Sequence, residues 1–183
     1  MGGIVITGGP GTGKTTLIEK MTGQEYTLVP EAARIALSTG KRRQKILSRN
    51  QIALAAKIHD IQLQQHKSVT NKHLLDRSPV DPIAYVEADG KKPTRKMLRT
   101  AKEYRPEMVF LLAPLKTYKN DAIRTEDEKT AQKIHEQIRQ VYTRLGHRII
   151  EVPDLGSVEK RADFVKRKIK EFRLANEARL NSV

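Results

Sequence analysis

Short apolar runs alternate with longer amphipathic segments along this chain. Gly3-Ile4-Val5-Ile6-Thr7 is too brief for a buried helix and is rich in β-branched residues, so it predicts a buried strand. Tyr26-Thr27-Leu28-Val29, His73-Leu74-Leu75-Asp76, Met108-Val109-Phe110-Leu111-Leu112 and Arg148-Ile149-Ile150-Glu151-Val152 repeat the signal, and the unbroken Met108 run favours a central strand. Between them the spacing turns helical. Residues 15–22 can form a helix, and Ile52, Ala55, Ala56 and Ile58 mark one side of another within 48–69, with Ser48 as its N-cap. Helical patterns over 81–88 and 94–104 flank Asp89-Gly90. Ile134, Ile138, Val141, Tyr142 and Leu145 step through 126–145 to a stop at Gly146. Val158, Ala162, Val165, Ile169 and Phe172 then form one stripe of a last helix at about 157–181. The alternation predicts an α/β chain whose roughly five parallel strands are covered by helices on both faces.

Ligands of such sheets bind beyond the C-terminal ends of the strands, which selects residues 8–15, Glu31, Asp76-Arg77 and Ala113-Pro114. Gly8-Gly9-Pro10-Gly11-Thr12-Gly13-Lys14-Thr15 fits G-x-x-x-x-G-K-[ST] between a predicted strand and a predicted helix. With Thr16 it forms a nucleotide cradle in which glycines turn backbone N–H groups toward phosphate and the helix adds its positive end. Lys14 is expected on the β- and γ-phosphates of ATP, and Thr15 on Mg²⁺. The pattern alone does not separate kinases from other NTPases. No apolar strand ends in Asp-Glu as a ring ATPase requires, and Tyr118-Lys119-Asn120-Asp121 misses the first position of the guanine-reading [NT]-K-x-D.

Composition narrows the picture. At roughly 150 residues per domain, 183 residues make a single domain, and the absence of cysteine removes disulfides and thiolate metal sites. The five histidines, His59, His66, His73, His135 and His147, show no metal-binding pattern. There is no apolar leader and no long apolar span, so a soluble, cytoplasmic protein is expected. The 35 Lys and Arg exceed the 21 Asp and Glu by 14, which points toward anionic partners. Much of the excess falls in three stretches: Lys41, Arg42, Arg43, Lys45 and Arg49; Lys91, Lys92, Arg95, Lys96, Arg99, Lys102 and Arg105; and Lys160, Arg161, Lys166, Arg167, Lys168, Lys170 and Arg173. The third reads as a solvated helix face.

Asp76-Arg77-Ser78-Pro79-Val80-Asp81-Pro82-Ile83-Ala84-Tyr85 is the most informative segment after the glycine-rich loop. Its D-R-S step after a short strand resembles thymidylate kinases and, more loosely, the E-R-S step of deoxynucleoside kinases. Val29-Pro30-Glu31-Ala32-Ala33-Arg34, residues 121–128 and residues 145–153 narrow the likeness to the small P-loop family that includes the ribosylnicotinamide kinase domain and many AAA-labelled proteins. The resemblance runs from about Gly3 to Pro153. It implies a three-layer P-loop kinase fold with a small lid at about 115–128, and an ATP- and Mg²⁺-dependent phosphotransferase. Glu31 and Asp76 are then the candidates for the carboxylate that orients or deprotonates the acceptor hydroxyl, with Asp76 also on the metal; which of them is the base stays open. Arg77 would place its fork on phosphate, and Arg124 would close over ATP from the lid.

The acceptor of related folds lies where the first two basic stretches would flank its mouth. Glu31, Arg34, Arg42, Arg43, Arg77, Asp81 and Arg95 are therefore the expected acceptor contacts, and the acceptor is read as nucleoside- or nucleotide-like, plausibly a modified nucleotide within DNA or RNA. Phage enzymes that phosphorylate hydroxymethylated pyrimidines in DNA are among the resembling proteins. Only 4% of residues are aromatic, which argues against an extended base-stacking platform. A nucleic-acid-binding NTPase without a phosphoryl acceptor and a nucleotide-binding regulatory module remain as alternative readings.

Overall fold

A computed structural model describes residues 2–23, 25–38, 50–115 and 128–180. Strands β1 (Ile4–Thr7), β2 (Thr27–Val29), β3 (His73–Asp76), β4 (Met108–Leu112) and β5 (Ile149–Val152) pair in the order β2-β3-β1-β4-β5, all parallel. Helices α1 (Lys14–Met21), α2 (Ala32–Leu37), α3 (Gln51–Gln65), α4 (Asp81–Ala88), α5 (Arg95–Glu103), α6 (Glu128–Arg144) and α7 (Val158–Leu180) fill the connections.

The alternation of side chains along each strand divides the core in two. Val5, Leu75, Val109 and Leu111 point to one face, where Val80, Ile83, Met97, Ile138 and Tyr142 of the α4, α5 and α6 layer cover them. Ile4, Ile6, Leu74, Phe110 and Leu112 point to the other, against Leu17 and Ile18 of α1 and Val165 and Ile169 of α7. β1 and β4 are buried along their whole lengths, which is why their sequences are unbroken apolar runs. The edge strand β2 is short and largely exposed.

Two helix starts follow sequence chemistry. The Thr94 hydroxyl accepts from Met97 N (3.2 Å) at the start of α5, and the Asn50 side chain accepts from Ala53 N (3.0 Å) at the start of α3. The α3 cap is thus Asn50 and not Ser48, which lies outside the described residues. The strand order places β1 between β3 and β4. The loop after β1 therefore sits where the connections leave toward opposite halves of the sheet, the switch point at which such sheets bind ligands.

Candidate functional site

The glycine-rich loop leaves the buried end of β1 and feeds α1, whose N-cap is Gly13 at φ 77°. No side chain caps this helix, so its first N–H groups keep their donors for an anion. Lys14 is buried and folds over the loop, donating from Nζ to the carbonyls of Gly8 (2.9 Å) and Gly9 (2.7 Å) and to Thr12 Oγ1 (3.2 Å). Burial, reinforced by the Arg77 charge, pushes the Lys14 ammonium down to about 7. Thr15 and Thr16 are exposed on the first turn of α1, while Pro10, Gly11 and Gly13 are partly exposed along the loop.

Two side chains far away in sequence hold the loop. His135 of α6 accepts the Gly9 N–H at Nδ1 (3.3 Å), and burial, with Arg139 nearby, pushes its pKa down to about 4, so the ring is neutral and able to accept. From beneath, Arg161 of α7 donates to the carbonyls of Thr12 (2.7 Å), Ala113 (2.7 Å) and Pro153 (2.9 Å). Arg161 is 3% exposed, which corrects the reading of the third basic stretch as a solvated face. Arg173 departs from it too, through its pair with Glu107 (3.1 Å). Arg161 falls three residues after Val158 and four before Val165, on the apolar stripe itself, and that register was the available signal.

The β3 end supplies the carboxylate and arginine group. The Asp76 carboxylate makes no hydrogen bond or ion pair among the described residues, and burial together with Glu31 and Asp81 raises its pKa despite Arg77 and Lys14. Arg77 is the single non-glycine residue with positive φ (71°) among the described residues. Its Nε donates to Glu31 Oε1 (2.7 Å), its Nη1 lies 3.4 Å from both Gly8 O and Asp81 Oδ1, and its guanidinium stacks 5.2 Å from the Tyr85 ring centre. Burial opposes the Arg77 charge, but Tyr85, Glu31, Asp81 and Asp76 together raise its pKa. Glu31 occupies the N-cap position of α2 yet makes no cap hydrogen bond; its carboxylate goes to Arg77 instead.

Asp81 is 1% exposed and fully engaged. It accepts from the Thr7 hydroxyl, from Ser78 N (2.9 Å) and from the Tyr142 hydroxyl (2.7 Å), while Ser78 Oγ and Tyr142 OH lie 2.6 Å apart. An acceptor ligand would have to compete with these bonds. Thr7 and Tyr142 were not legible as site-supporting residues, because each sits on an apolar element.

Glu31, Arg77 and Asp81 also line a cavity of about 560 Å³ enclosed by α3, α4 and α6, within the usual range for small-molecule sites. Leu54, Ala55, Ile58, Tyr85 and Val86 give it apolar walls, and Lys133 faces it from α6. Gln62 lines it as well: it is 1% exposed, and neither amide atom has a partner. Of the other expected acceptor contacts, Arg34 and Arg95 are exposed and do not line the cavity. In the second basic stretch Lys91 is bound to Asp89 (2.7 Å) and Gln51, and Lys96 to Asp60 (2.8 Å). Arg42, Arg43 and Arg124, and nearly all of the expected lid, lie outside the described residues.

The donor set fits Mg²⁺ in its ordinary mode, one carboxylate and one hydroxyl completed by phosphate oxygens and water. Asp76 is an unpaired carboxylate whose charge burial disfavours, and Thr15 presents its hydroxyl beside the loop. No cluster of three metal-binding side chains occurs among the described residues, nor does any helix long and apolar enough to cross a membrane.

A parallel sheet in this order, with a glycine-rich loop after its central strand and a carboxylate-arginine step on the neighbouring one, defines a nucleotide-binding P-loop protein of the kinase-like kind. Residues 3–161 match the family described as an AAA domain, and the chain belongs to it. Among solved structures it is similar to deoxyadenosine kinase from M. mycoides bound to the products dCMP and dCDP (14% identity, TM-score 0.66, covering 92% of this chain and 98% of that one). It is also similar to NadR in complex with NR (17%, TM-score 0.64), of which it spans 46% while 85% of this chain is covered. A third likeness is YorR of Bacillus subtilis in complex with phosphorylated GDP (16%, TM-score 0.56, 92% and 95%). These likenesses establish the P-loop kinase-like fold. No curated protein matches the chain in sequence.

Proposed function

We propose that the chain is an ATP- and Mg²⁺-dependent kinase that phosphorylates a hydroxyl of a small nucleoside-like acceptor. One observation carries the reading: Arg77 touches the P-loop at Gly8 O, pairs with Glu31 and lines the cavity, so a donor site and an acceptor-sized space meet at one guanidinium. The structural neighbours include a deoxyadenosine kinase and NadR in complex with NR, in keeping with such an acceptor.

Bound ATP–Mg²⁺ would supply the phosphoryl group and the cation that offsets its charge. The chain's own residues do the rest. Lys14 exchanges its loop carbonyls for phosphate oxygens, which restores its proton. Thr15 and Asp76 hold the cation. Glu31, freed from or steered by Arg77, accepts the proton of the acceptor hydroxyl; Asp76 is the alternative base. Positioning and charge compensation are the main requirements of phosphoryl transfer; Glu31, Asp76 and Arg77 stand at or just beyond the ends of β2 and β3, and Lys14 at the start of α1.

The acceptor is proposed as an uncharged molecule. Among the described residues the cavity carries Glu31, Asp81 and Asp89 against Arg77 and Lys133, and Arg77 is already paired twice. The unpartnered Gln62 amide suits a ligand edge that offers one donor beside one acceptor, as a nucleobase or carboxamide does. None of residues 91–105 lines the cavity, so the structural argument for a nucleic-acid acceptor is lost in that stretch.

Incubation with γ-labelled ATP, Mg²⁺ and separate panels of nucleosides, nucleoside monophosphates and oligonucleotides tests the reading. Label is expected on nucleosides. Label on oligonucleotides alone would replace the small acceptor by nucleic acid, and label found only as free phosphate would overturn the kinase.

A further inference from the structure

We infer that Arg161 is a positioning residue for nucleotide binding: it locks the plane of the peptide between Thr12 and Gly13, so that the Gly13 N–H faces the bound phosphates. The inference rests on the reading of residues 8–15 as a phosphate cradle. Its basis is the direction of three bonds. Arg161 lies in the first turns of α7 and is buried beneath the loop, where it gathers the carbonyls of Thr12, Ala113 and Pro153 from the P-loop, the β4 end and the β5 end. Among the described residues no ion pair is formed with it; burial lowers its pKa, and the Asp154 charge opposes that shift. A guanidinium in that position is costly to bury, and its fixed fork is matched to three carbonyls that take no backbone N–H among the described residues.

The consequence for the loop follows from peptide geometry. The bond is trans, so the Thr12 carbonyl and the Gly13 N–H point in opposite directions across one plane. With the carbonyl drawn down to Arg161 Nη1 at 2.7 Å, the N–H is turned to the opposite side, toward the concavity that Lys14 crosses. Gly13 sits at φ 77°, and a Cβ there would lie 3.3 Å from Leu115 Cδ1 and 3.7 Å from Arg161 Nη1, which shows how closely both back the loop. Glycine leaves this peptide free to flip, and Arg161 removes that freedom before any ligand arrives. The same side chain ties the loop to the ends of β4 and β5, so the cradle is fixed relative to the sheet. A lysine in its place could keep the charge but not three divergent bonds.

The experiment titrates the full chain and the variants Arg161→Met and Arg161→Lys with ATP and with inorganic tripolyphosphate, each far below its own unfolding temperature. Arg161→Met is expected to lose about tenfold or more in affinity, the equivalent of one charge-assisted hydrogen bond, and by the same factor for both ligands because the defect lies in phosphate binding. Arg161→Lys, which keeps the charge and is the arm to read if the Met variant does not fold, is expected to lose most of the same factor. Wild-type affinity for tripolyphosphate in the Lys variant would overturn the inference. A wild-type chain that bound neither ligand would overturn the phosphate-cradle reading itself, which is a separate failure.

Discussion

Gly9 occupies a position that the phosphate-loop pattern leaves open to any residue, yet this fold admits only glycine there. A Cβ on Gly9 would lie 2.8 Å from His135 Cβ and 2.9 Å from the Ala131 carbonyl oxygen, where ordinary contacts begin at 3.4 Å. The loop or α6 must therefore move by about 0.6 Å, and neither obstacle is a flexible tip: one is main chain, the other the root of a side chain. Gly9 does not have a positive φ, so the cost is steric and not conformational. Overpacking of this kind costs about 1–3 kcal/mol, or roughly 2–10 °C in Tm for a chain of this length. Gly146→Ala is the matched comparison: its φ is 83° with nothing within 4 Å, so it suffers only the left-handed penalty of about 1 kcal/mol. Thermal unfolding and ATP titration of both variants separate the two effects. Gly9→Ala is expected to lower Tm at least as much as Gly146→Ala and also to weaken ATP binding, whereas Gly146→Ala leaves binding unchanged. Adding His135→Ala should not rescue Gly9→Ala, since that residue's Cβ and the Ala131 carbonyl both remain. A Gly9→Ala chain with wild-type Tm and ATP affinity would refute the packing of α6 on the loop.

Lys14→Met is expected to abolish transfer and ATP binding. In the ligand-free wild type the unfolded chain keeps the Lys14 proton up to about 10.5 while the folded chain releases it near 7, so stability should rise with pH across that window; the Met variant should lack this rise in urea titrations. Asp76→Asn should reduce transfer by about 10²-fold or more while leaving the fold as stable or more stable at neutral pH, because burial disfavours the charge that is removed; a marked fall in stability would contradict the unpaired state of Asp76. Gln62→Leu removes a buried amide that has no partner and should stabilise the ligand-free chain by about 1 kcal/mol, while raising the acceptor KM several-fold with kcat little changed. An unaltered KM would remove Gln62 from acceptor recognition.

The strands were legible because this sheet is covered on both faces: an apolar run such as Met108–Leu112 has no solvent side to interrupt it. Residues 8–13, Glu31, Asp76 and Arg77 could be placed on one edge of the sheet from sequence because each follows or ends a short apolar run, and the structure has them at the ends of β1, β2 and β3. Charge position was not. The second basic stretch was read as a wall of the acceptor mouth, yet Lys91 and Lys96 spend their charge on Asp89 and Asp60, which linear proximity could not reveal for Asp60. Asp81 was read as an acceptor contact, and its saturation by Thr7 and Tyr142, added to the local Ser78 N–H, depends on elements brought together across more than sixty residues. On α3 the visible apolar side was Ile52, Ala55, Ala56 and Ile58, whereas the buried positions are Ala55, His59 and Gln62; two polar side chains at core spacing concealed the true face. His59 is satisfied there, with its ring nitrogens 2.7 Å from Pro79 O and 2.6 Å from Thr100 Oγ1, while Gln62 is not.

That contrast between satisfied and unsatisfied polar groups also divides the site by role. Around the P-loop the groups that hold its shape have their partners, with Gly9 N–H on His135, the Thr12 carbonyl on Arg161 and the Lys14 ammonium on three acceptors, while the first N–H groups of α1 have no side-chain cap. Such a loop is organised in advance, and phosphate binding asks for little rearrangement beyond the Lys14 head group. The Gln62 amide, which has no partner, lines the cavity, and the Asp76 carboxylate at the end of β3 is unpaired among the described residues. Arg77 stands between the two regions in a backbone conformation that non-glycine residues rarely adopt, held there by its N–H on Ile6 O and by Glu31 and Asp81. In the proposed kinase, a strained residue that touches both the P-loop and the cavity is the natural point of coupling between donor and acceptor. Any group that draws Glu31 away from Arg77 changes the charge beside Gly8 in the same event.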